Sequence, residues 1–140
     1  MNLKRVVITG LGAITPLGST VDEFWNSLLN GVSGADMITR FDATLFKTRF
    51  ACEVKNYDPI NYFGRKESRK LDPYAQYAMI ASDEAIADSG ILDSGIDQNR
   101  VGVIYATGIG GFTSFLNEAM AYGQGAGTPR FNPFFFPKII

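Results

Sequence analysis

The stretch Val6-Val7-Ile8-Thr9-Gly10-Leu11-Gly12-Ala13-Ile14-Thr15-Pro16-Leu17-Gly18 decides how this chain is read. An apolar, β-branched run feeds straight into a glycine-rich turn, which is how dinucleotide-binding folds begin. The dinucleotide fingerprint G-x-G-x-x-G opens a helix on its third glycine. Gly10 and Gly12 fill the first two positions, but Thr15 stands at the third and Pro16 follows it. A residue before proline is pushed out of helical geometry, so the phosphate-binding helix has no place to start. The motif weighs against a nucleotide and leaves open what else such a turn is for.

Working outward, Lys4 to Thr9 reads as a buried strand, and Val101 to Ala106 as a second one. Phe50 to Val54 is a candidate short strand. Thr20-Val21-Asp22-Glu23 is a capping box, with Thr20 accepting from a first-turn N–H and Glu23 reaching back. Val21, Phe24, Trp25, Leu28 and Leu29 follow at helical spacing, and Gly31 is the expected C-cap. Asp72-Pro73 predicts a helix with Asp at the N-cap and Pro at N1, running to about Ser89 and stopping at Gly90. Ala75, Ala78, Ala81, Ala85 and Ala87 lie inside it, and such small residues predict close packing. A further helix is expected over Phe112 to Tyr122, ending at Gly123, with a Gly-rich loop from Gly123 to Thr128. Strands alternating with helices predict an α/β fold, with a parallel or mixed sheet covered on both faces. Two confident strands are too few for a self-sufficient sheet, which points to a larger body.

The chain has 140 residues, the length of one domain, and shows no internal repeat. Its formal net charge of -1 argues neither for nucleic acid nor for an anionic membrane as partner. There is no histidine, so neither a Ser-His nor a Cys-His mechanism can be assembled from these residues, and no Cys/His cluster is available for a metal. A single cysteine, Cys52, excludes an intrachain disulfide and fits a reducing compartment. The apolar run after Lys4 and Arg5 is too short for a signal peptide, and no window approaches a membrane span. The default expectation is a cytoplasmic protein. The last residues, Asn132-Pro133-Phe134-Phe135-Phe136-Pro137-Lys138-Ile139-Ile140, are unusually apolar for a terminus, and the expectation is a sequence cut in mid-domain.

Two further segments stand out. Tyr105-Ala106-Thr107-Gly108-Ile109-Gly110-Gly111 is a second strand-to-glycine junction. It reads either as a tight turn or as a site loop at the C-terminal end of a strand. Arg65-Lys66-Glu67-Ser68-Arg69-Lys70 sets four cations against one carboxylate. Lys66, Arg69 and Lys70 share one face if the segment is helical, which serves either as a solvated turn or as a dock for an acidic partner.

The opening RVVITGLGAITPLG, the helix DEFWNSLLNGVSG, the segment RKESRKLDPYAQYA, the turn ATGIGGF and the tail NPFFFP occur in that order. Together they resemble the N-terminal part of a β-ketoacyl-acyl carrier protein synthase, most closely the elongating type 2 enzymes. The resemblance covers essentially the whole chain. It implies a thiolase-like layered αβαβα fold, of which residues 1–140 would be an incomplete N-terminal part of a single synthase domain. It implies that the opening glycine turn is structural. It also implies fatty-acid elongation by decarboxylating Claisen condensation of malonyl-carrier with acyl-carrier protein, in a homodimer, without cofactor or metal.

The resemblance also distributes roles. The family's nucleophilic cysteine and its histidines have no counterpart here, so no catalytic residue is assigned and the fragment alone is expected to be inert. Cys52, ahead of an acidic residue on the expected short strand, is expected to be a buried structural cysteine. Lys66, Arg69 and Lys70 match the carrier-docking segment, and Arg130 matches another basic position at the family's entrance. Ile109 matches an acyl-pocket residue and Phe135 an aromatic that reaches the partner subunit's pocket; from sequence alone both also read as ordinary core. The alternatives are a catalytically silent chain-length partner of the same fold, and a small stand-alone binding module. A coenzyme A-dependent thiolase fits the fold but not the basic segment.

Overall fold

The computed structural model describes residues 3–125 and 130–140. The chain divides into two compact units, one of residues 1–57 and 80–100, the other of residues 58–79 and 101–140.

In the first unit, α1 spans Val21–Leu29. Thr20 is its N-cap, in extended backbone, and its hydroxyl accepts from the Glu23 N–H at 3.2 Å. Glu23 reaches back as a capping box requires, but its carboxylate takes the Ser19 N–H at 2.7 Å, one residue upstream of the usual partner. Asn30 is the C-cap, and Gly31, at φ +63, is the left-handed residue just past it. The expected glycine stop is therefore displaced by one position. Strands β1 (Ala35–Met37) and β2 (Phe50–Cys52) pair antiparallel, with Asp36 opposite Ala51. The connection between them buries Ala43 and stacks Phe41 edge-on against Phe46, with ring centroids 5.5 Å apart.

The sheet differs from the expectation. Among the described residues the one sheet is this antiparallel pair. Residues 4–9 and 101–106 form no ladder, and both runs are exposed, Val6 by 90% and Ile104 by 96%. A β-branched run of this kind is held as a buried strand only where other strands flank it and elements cover both faces. No such neighbours are present among the described residues.

Helix α2 spans Pro59–Glu67, with Asp58 as N-cap and a kink at Gly64. Helix α3 spans Pro73–Ser89, the extent its Asp-Pro start and Gly90 stop predict. Its residues 73–79 group with the second unit and 80–89 with the first. Helix α4 spans Phe112–Gln124. Gly123 lies inside it, so the expected stop there is corrected to Gly125; residues 126–128 of the expected loop lie outside the described residues. Helix α5 spans Phe135–Ile139 and stacks on α4 through Phe135 and Phe115, 6.3 Å apart.

Candidate functional site

The opening turn lies directly on the C-terminal half of α3. A Cβ on Gly12 would collide with the Ala81 carbonyl, and one on Gly10 with the Ala85 carbonyl. The glycines are there because two backbones touch. The small residues predicted to pack closely in α3 include both of these alanines. Carboxylates of α3 take N–H groups of the turn and of the start of α1. Leu11 donates to Asp88 Oδ2 at 2.9 Å, while Ala13 and Val21 donate to the two Glu84 oxygens, each at 2.8 Å. Glu84 and Asp88 are four residues apart and so share a face of α3. A phosphate at this turn would have to displace two carboxylates, which agrees with the reading against a nucleotide.

The basic segment lies in the second unit. Helix α2 ends at Glu67, and Ser68 is its C-cap. Lys66 is thus helical, while Arg69 and Lys70 follow in a turn. The three do not form one helical face, because the chain has already left the helix. Lys66 and Arg69 are exposed and have no ion pair among the described residues. Lys70 is half-buried, pairs with Glu67 at 2.6 Å, and sits 6.0 Å from the centroid of the Phe134 ring. From below, the buried Gln76 donates to the Ser68 and Leu71 carbonyls, at 3.0 and 3.1 Å. Its fixed amide therefore presents the turn.

Ile109 is 76% exposed, which is not a core position. It is carried at the tip of the 107–111 turn. Gly110 is at φ +75, the left-handed region that favours glycine, and donates to Thr107 Oγ1 at 3.3 Å. A Cβ on Gly111 would strike the Lys138 carbonyl. On the other side Asp72, 4% exposed, accepts from the Ser114 hydroxyl at 2.6 Å and the Ser114 N–H at 3.2 Å.

Phe135 is half-buried in an aromatic cluster with Phe115, Phe131 and Phe136. A cleft of about 380 Å³ opens beside it, walled by Phe131, Asn132, Pro133, Phe135 and Phe136. Ile109 is not among its walls. Arg130 is exposed. Cys52 is exposed on β2, which corrects the expectation of a buried cysteine: strand alternation turns its side chain away from the half-buried Ala51 side. Among the described residues, no cluster of His, Cys, Asp and Glu could hold a metal ion, and no helix is long and apolar enough to cross a membrane.

The sequence matches the family described as "Beta-ketoacyl synthase, N-terminal domain" over residues 3–138. The chain belongs to the β-ketoacyl synthase family. Its curated relatives include the 3-oxoacyl-[acyl-carrier-protein] synthase 2 of Vibrio harveyi, 42% identical over all of this chain and 34% of that protein. The enzyme of the same name from Synechocystis is 39% identical over 98% of this chain and 33% of its own length. Among solved structures, a β-ketoacyl synthase from Burkholderia phymatum superposes with TM-score 0.74 at 28% identity, over 99% of this chain and 34% of that one. The ishigamide ketosynthase/chain length factor gives 0.70, also at 28%, over 96% of this chain and 33% of that one. The β-ketoacyl synthase chain described here therefore has the thiolase-like α/β fold of these ketosynthases, and spans about a third of the length of the relatives it matches.

Two features of this β-ketoacyl synthase chain escaped the sequence reading. Asp72 was legible as a helix cap, but its second oxygen, turned to Ser114, was not. Glu84 and Asp88 belong to no motif in the sequence; their four-residue spacing is visible there, their targets are not.

Proposed function

We propose that this chain is the N-terminal part of a 3-oxoacyl-acyl carrier protein synthase of the elongating type, working as a cytoplasmic homodimer. In that reaction an acyl group passes from its carrier to a cysteine thiolate. Malonyl-carrier loses CO2, its C2 carbanion forms the new C–C bond at the acyl carbonyl, and the thioester C–S bond breaks to return the thiolate. The 140 residues contain no histidine, and on this reading they carry recognition while the reacting groups lie elsewhere. The chain alone is inert.

One observation carries the reading: an exposed cationic turn, held from below by a buried amide, in a chain of this family. Lys66, Arg69 and Lys70, with Arg130, receive the acidic carrier, and Ile109 and Phe135 contribute to the acyl pocket. Lys66 and Arg69 do most of the steering, because Lys70 already has Glu67 as a partner. Such contacts set orientation and on-rate. Titrating an acyl carrier protein into wild type and into the Lys66→Glu, Arg69→Glu double variant tests this. Affinity should fall about tenfold or more, and the wild-type affinity should weaken with added salt. Equal affinities would remove the docking assignment.

The ketosynthase/chain length factor neighbour favours a second reading, in which the parent is a silent partner subunit of the same fold. The intact mass of the natural protein, followed by the residue at its nucleophile position, separates the two. A stand-alone module would have the mass of 15.3 kDa and would unfold as a cooperative monomer.

A further inference from the structure

We propose that Asp72 is a positioning residue for the turn that carries Ile109; the consequence for acyl selection rests on the pocket reading above. Asp72 is one of the few buried side chains in the described structure, at 4% exposure, and its two carboxylate oxygens serve different elements. Oδ1 caps α3, accepting from the Tyr74 N–H at 3.3 Å. Oδ2 takes both the hydroxyl and the N–H of Ser114, in the first turn of α4. A helix cap needs one acceptor. The second oxygen ties α4, and with it the turn five residues upstream, to the N-terminus of α3.

The turn is pinned on its other side as well. The Lys138 and Ile139 carbonyls lie where Cβ atoms on Gly111 and Gly110 would be. The Phe112 N–H closes back on the Gly110 carbonyl at 2.9 Å. Gly108 has nothing within 4 Å of a Cβ position, and the Ile109 side chain is exposed. The result is an exposed apolar tip on a clamped base, and the clamp contains a single ionic acceptor. Charge-assisted hydrogen bonds of this type are the strong ones, and a buried carboxylate robbed of a donor is poorly tolerated.

Two substitutions separate the clamp from the cap. Ser114→Ala removes the hydroxyl donor while Asp72 keeps its bond to Tyr74; Ser114→Thr restores a hydroxyl. Amide hydrogen exchange in the complete synthase reads the effect. In Ser114→Ala the amides of Gly110, Phe112 and Ser114 should exchange about tenfold faster, with Tyr74 and the β1–β2 amides unchanged. Ser114→Thr should restore protection. Unchanged exchange at these amides, or loss of protection throughout the chain, overturns the positioning role. In the complete synthase, Ser114→Ala should also shift the distribution of product chain lengths without changing carrier affinity. Faster exchange with an unshifted product distribution upholds the positioning role and removes the pocket assignment of Ile109.

Discussion

Gly12 and Gly108 show how differently one residue type is used in one chain. Gly12 sits against the Ala81 carbonyl, where any Cβ meets backbone that cannot yield. Gly108 has nothing within 4 Å and no left-handed φ. Gly12→Ala should cost about 3 kcal/mol, the upper end of overpacking effects, whereas Gly108→Ala should stay within about 0.5 kcal/mol. Paired denaturant melts of the complete synthase decide it, and equal midpoints would mean that the turn does not rest on α3. Glu53 offers a test by pH. The Thr39 hydroxyl donates to its carboxylate at 2.7 Å and holds its pKa below the ordinary value. A carboxyl whose pKa is depressed in the folded state adds stability above its unfolded pKa, and loses it as pH falls through the folded one. The link should therefore be intact at neutral pH and released only on acidification below the ordinary glutamate range. Following the Glu53 carboxyl by NMR in wild type and Thr39→Val should show the titration move upward in the variant. The same titration in both would dismiss the bond.

Among the elements, α3 does the most. Its first turn is capped by Asp72, its second presents Gln76 to the basic turn, and its later turns offer Glu84 and Asp88 to the opening loop. Its apolar pattern is weak because alanines and polar residues are distributed around the helix rather than confined to one face. Glu84→Gln keeps the shape but leaves one acceptor oxygen for two backbone donors. One of the Ala13 and Val21 amides then loses its partner, at a cost of about 1–3 kcal/mol. A lowered midpoint with faster exchange at one of these two amides is the expected result. Retained protection at both would show that water replaces the carboxylate without loss.

At the scale of the molecule, the accessible surface is 11267 Å². Large apolar side chains contribute to it: Val6, Ile8, Leu45, Ile104 and Ile109 are each more than three-quarters exposed. Ala43 is the one buried apolar side chain beyond glycine among the described residues. A surface of this kind associates. The 140-residue chain studied alone should bind a hydrophobic dye and grow in light scattering as its concentration rises. A monodisperse species with a sharp melting transition would contradict this.

Local chemistry was sufficient for much of this protein. Thr20 with Glu23, Asp72 with Pro73, and Gly90 each act within a few residues, so α1 and α3 could be placed from the sequence. Thr15-Pro16 weighed against a nucleotide, and the ordered motifs were enough to name the family. The two apolar runs at 4–9 and 101–106 could not be resolved in the same way. A strand is a property of its neighbours, and neither run has one here. Lys66, Arg69 and Lys70 looked like a helical face because the kink at Gly64 and the stop at Glu67 depend on how the following turn is held. The partners of Glu84, Asp88 and the second oxygen of Asp72 lie 42 to 77 residues away in sequence. Caps and turns close over short spans and are written locally; contacts across such distances exist only once the chain has folded.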